Sequence, residues 1–66
     1  MKVRTFVGKC NMEGLHQMDD HINEWMSRNH IVPQNITQTF GEERHHGGNS
    51  EPVIITSVWY EPKDEF

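Results

Sequence analysis

Residues 53–60 read VIITSVWY. β-Branched and aromatic side chains dominate the run, which predicts a strand. Alternation divides it into two sets. Ile54, Thr56, Val58 and Tyr60 face one side, and Val53, Ile55, Ser57 and Trp59 face the other. Both sets are largely apolar. A half-wet strand at the edge of a sheet would show one greasy and one polar set, so this one reads as a central strand.

Working outward, the segment before it holds the turn. The stretch FGEERHHGGN, residues 40–49, carries Gly47, Gly48 and Asn49, residues suited to tight reversals. It reads as the end of a strand running into a polar hairpin loop. The strand that enters it is NITQTFGE, residues 35–42, with Ile36, Gln38 and Phe40 on one face. At the start of the chain, KVRTFV, residues 2–7, reads as another strand, followed by a turn over Gly8–Asn11. Between them, Leu15, Met18, Ile22, Trp25 and Met26 form one stripe at about 100° per residue, the mark of an amphipathic helix over 15–29. Asn11 is a suitable cap and Glu13 sits near the positive end of the helix dipole. Gly14 argues for a slightly later start. Glu24 and Arg28 stand four apart on the outer side, acid first. Asn29 is placed to take the left-handed conformation that ends a helix, and Pro33 lies beyond it.

The fold class is therefore α+β, in the order β-α-β-β. The expected architecture is a three-stranded antiparallel sheet with one helix packed on one face. The second and third strands form a hairpin, and the first strand lies beside the third. The alternative places the first and second strands in parallel through a right-handed crossover. Residues 1–66 make a single small domain, with 61–66 a charged tail expected to fray.

Size bounds what such a domain does alone. A chain of 66 residues buries only about 60% of the surface its unfolded form exposes. Cores of this size are usually supplemented by disulfides, a metal or association. Cys10 is the single cysteine, so no disulfide forms within the chain, and a lone thiol suits a reducing, cytoplasmic compartment. No apolar run approaches membrane-spanning length, and MKVRTFVGKC has basic residues but no apolar core of a signal peptide. Net charge is −4 and the six basic residues are scattered, which argues against a nucleic-acid partner.

One helix of about four turns covers one face of a sheet. The core expected beneath it is Leu15, Met18, Ile22, Trp25, Met26, Val3, Val7, Ile54 and Val58. The remaining apolar set, Phe6, Val53, Ile55 and Trp59, would form an interface with another copy, making a homo-oligomer.

Five histidines raise the question of metal. His16 and His21 fall about 140° apart around a helix, so they do not share an ion. His16 and Asp20 share a face but supply two ligands only. His45 and His46 are the remaining weak metal candidates, with Glu42 or Glu43 as a possible oxygen ligand, yet adjacent histidines in a glycine-rich turn lack metal-site spacing. Nothing orients a histidine on Cys10 as a base. Gly47-Gly48 is not followed by the lysine of a phosphate loop. Paired acids at 19–20, 42–43 and 64–65 read as solvated faces. The chain thus reads as non-enzymatic, with no cofactor.

The stretches KVRTFVG, HINEWM and VIITSVWYE together resemble a group of very small, mostly uncharacterised bacterial proteins of β-α-β-β order, some described as sporulation-associated. The resemblance implies the fold and a cytoplasmic location and carries no catalytic residues. In length and element order the chain is also similar to dodecins, whose hollow dodecamers bind flavin between subunits. That likeness implies an alternative role as an oligomeric carrier of flavin, or of metal at His45 and His46, with Trp25 or Trp59 as a stacking residue.

Overall fold

The computed structural model describes residues 1–62. The tail expected to fray lies, from residue 63 onward, outside the described residues. The chain forms β1 (Lys2–Lys9), α1 (Met12–Asn29), β2 (Pro33–Arg44) and β3 (Ser50–Tyr60). The sheet order is β1-β3-β2 and both pairings are antiparallel. The central position of β3 and the β2–β3 hairpin are as the sequence predicts; the parallel alternative is not adopted.

Asn11 starts the helix from an extended backbone (φ −147°, ψ 168°), and its side-chain oxygen accepts from the Gly14 N–H at 2.7 Å. That capping bond brings α1 in at Met12, ahead of the start that Gly14 suggested. At the other end Asn29 stays helical, its side-chain amide donating to the Trp25 carbonyl at 2.9 Å. His30 takes the left-handed conformation instead (φ 54°, ψ 46°). Its N–H points to the Ser27 carbonyl at 3.4 Å, and the Ile31 N–H reaches the Met26 carbonyl at 2.9 Å. This is the paired closure of a Schellman motif. Glu24 and Arg28 meet at 2.7 Å on the outer face.

The hairpin loop spans residues 45–49. The His45 N–H donates to the Asn49 carbonyl at 2.8 Å, and Gly47 and Gly48 adopt φ of 94° and 87°. L-residues with a Cβ disfavour those angles, which explains the glycine pair.

α1 packs over β1 and the adjoining side of β3. Met18, Ile22 and Val58 form the buried centre, with Phe6, Leu15, Trp25, Met26 and Ile54 packed around it. Trp25 is held edge-on between Phe6 and Tyr60, at centroid distances of 5.6 and 5.2 Å. Thr56 is buried in the same layer; its hydroxyl accepts from Gln38 Nε2 at 3.2 Å and donates toward Met18 Sδ at 3.6 Å.

The parity of β1 differs from the sequence expectation. Phe6 pairs with Thr56 and Gly8 with Ile54, so both lie on the helix side. Val3 and Val7, expected in the core, pair with Trp59 and Ile55 and lie exposed on the opposite face. Phe6, expected at an interface, is a wall of the core against Trp25.

Candidate functional site

The face of the sheet away from α1 is open among the described residues. The strand register builds it in three rows. Val3, Trp59 and Asn35 form one, Thr5, Ser57 and Thr37 the next, and Val7, Ile55 and Thr39 the third. The middle row is tied across β1 and β3 by the Thr5 and Ser57 hydroxyls at 3.3 Å. None of these side chains is charged, although charged residues make up 24% of the chain. Val3 is 46% exposed, Val7 57% and Trp59 36%. The result is an uncharged field, a row of small hydroxyls flanked by apolar side chains on β1 and β3 and by Asn35 and Thr39 on β2.

Charge returns at both ends of the field. Beyond the Val3 row the terminal amine lies 3.5 Å from Glu61. Beyond the Val7 row, Lys9 Nζ lies 3.8 Å from Glu51, and His45 Nε2 stands 3.1 Å from Glu51 and 3.9 Å from Glu43. Val53 sits at this polar end and is only 3% exposed, though it is outside the helix-side cluster. Of the four residues expected at an interface, then, Ile55 and Trp59 lie in the field, Val53 is already covered within the chain, and Phe6 faces the helix.

Ser57 lies here as the alternation of β3 predicts; Val3, Val7 and the flanking Thr5, Thr37 and Thr39 are the members of this face that the sequence does not announce. In antiparallel strands the residues that share a face are fixed by the pairing register, and the parity adopted by β1 is the one that brings Gly8 under the helix.

His45 and His46 lie in the hairpin loop, and the acids near His45 are Glu51 and Glu43 rather than Glu42. Among the described residues no group of three or more His, Cys, Asp or Glu side chains is placed to hold a metal ion. Cys10 is exposed at the end of β1. No described helix is long and apolar enough to cross a membrane. On the helix side a shallow groove runs beside Trp25, where the Arg4 guanidinium lies 5.4 Å from the Phe6 ring centre and 5.8 Å from that of Trp25. Those contacts brace the aromatic cluster, and His21, Glu24, Arg28 and Asn29 complete the lining of the groove.

No family model, curated protein or solved structure matches this chain.

Proposed function

We propose that the chain is a small, non-enzymatic, self-associating protein with a binding or scaffolding role, working in the cytoplasm. The observation that carries the reading is the uncharged open face, where Val3, Val7, Ile55 and Trp59 stand exposed or half-buried around a hydroxyl row. Two such faces stack at about 10 Å with small side chains interdigitating. Burial of the Trp59 rim and the two valines supplies apolar area that a core of four buried apolar residues lacks. The single exposed thiol suits a reducing compartment.

Native mass spectrometry of the untagged protein tests this. The double substitution Ile55→Glu with Trp59→Glu is expected to dissociate the assembly while circular dichroism stays unchanged, because neither residue lies under α1. A variant that keeps both the parental mass and the fold removes the open face as the interface.

A further inference from the structure

The outer edge of β2 is unpaired among the described residues, and it lacks the usual defences of an edge strand. β1, the other edge, carries Lys2, Arg4 and Lys9. β2 carries no charge from Pro33 to Gly41, and its only proline and only register shift lie at its start. Lysines, prolines and bulges are how sheet edges avoid pairing with other chains. Asn35–Phe40 instead combines β-branched and aromatic residues with no glycine or proline.

The helix leaves this strand bare. Ile36 and Phe40 point to the helix side, opposite Val58 and Ile54, yet α1 sits over β1 and they remain 50% and 64% exposed. We propose that β2 pairs antiparallel with β2 of a second copy, about a twofold axis at Gln38. Faces match only when paired residues share parity. Within β2, the axis at Gln38 is the one that sets Ile36 opposite the partner's Phe40 and Phe40 opposite the partner's Ile36. The other face then pairs Thr37 with Thr39, a favourable cross-strand combination. Glu42 meets Gln34 and Glu43 meets Pro33, so no charge faces a like charge. An axis at Thr37 or Thr39 would set both apolar side chains against polar ones.

The product is a continuous six-stranded sheet with both helices on one side and an Ile-Phe floor between them. Area gives an independent reason for it, one that rests on the open-face reading above. Strand spacing and rise give the three-row field a footprint of roughly 14 by 20 Å. That is well short of the about 800 Å² per partner that stable interfaces bury. Joining two sheets edge to edge doubles the field, and two such sheets face to face make a four-chain assembly with dihedral symmetry.

Two variants read the register by native mass spectrometry. Ile36→Lys with Phe40→Lys sets lysine opposite lysine and should halve the parental mass. Ile36→Glu with Phe40→Lys sets each glutamate opposite a lysine and should keep it. Both sites are exposed, and circular dichroism checks the fold in each case. A monomeric parent, or two variants that behave alike, overturns the edge pairing. The open-face variant Ile55→Glu with Trp59→Glu separates the two interfaces. A two-chain species left by that variant, and split only by the lysine pair, places the remaining contact at β2. Direct collapse to single chains, with the lysine pair silent, leaves the open face and removes the edge.

Discussion

Gly8 lies directly beneath Met18: a Cβ at residue 8 would stand 2.9 Å from both the Cβ and the Sδ of Met18. The sulfur end of Met18 has freedom to move, but its Cβ is fixed to the helix backbone. Gly8→Ala must therefore push α1 off the sheet. The expected loss is about 1–3 kcal/mol, the range for overpacking a tight contact, read as a lower urea midpoint with unchanged slope. Val7→Ala, one residue away on the open face, should cost clearly less in the isolated chain.

Ile22→Ala should be harsher. Ile22 belongs to the buried centre with Met18 and Val58. Truncating such a residue costs about 2–5 kcal/mol, comparable with the whole stability of a small domain at about 5 kcal/mol. Urea unfolding should show a variant near its midpoint without denaturant, or unfolded outright.

The two helix ends predict changes of opposite sign. Asn11→Ala removes the oxygen that accepts from Gly14 and should cost about 1 kcal/mol. His30→Gly relieves a Cβ from the left-handed region and should gain about 1 kcal/mol. Thermal melts of the two variants should shift in opposite directions.

β2 should exchange its amide hydrogens sooner than β3. β3 is bonded on both sides and carries the fully buried Val58, whereas β2 is bonded only to β3 and has no residue in the buried centre. Local opening follows such differences. Hydrogen exchange under dilute conditions should show the outer β2 amides as the first to go. At concentrations where β2 pairs between copies, that difference should shrink.

The element order and the central strand were legible because VIITSVWY is apolar on both faces, a property that belongs to the residues themselves. The parity of β1 was harder to read. KVRTFVGK offers Val3 and Val7 on one side and Phe6 on the other, so hydrophobicity alone leaves the choice open. The glycine decides it, through a close approach that becomes visible only when the helix is in place. Asn29 was misread for a related reason. Its side chain finds a better partner in the Trp25 carbonyl, and the left-handed position passes to His30. On the open face, the places of Ile55 and Trp59 followed from the alternation of β3 alone, whereas the burial of Val53, 3% exposed on that same strand, did not.

The order β1-β3-β2 also governs how the chain folds as it is made. β1 and β2 never touch as neighbours; each waits for β3, which begins at Ser50. Residues 1–49 alone contain no strand pair of the final sheet, and without β3 the apolar stripe of α1 has no Val58 to pack on. The hairpin, joined by a five-residue loop, has the smaller closure cost and is expected to close first. The β1–β3 pairing follows, closing a far longer span between Lys9 and Val53. Formation of this sheet therefore waits for β3, and loss of Val58–Tyr60 from the chain would cost far more than loss of a few residues from an ordinary edge strand.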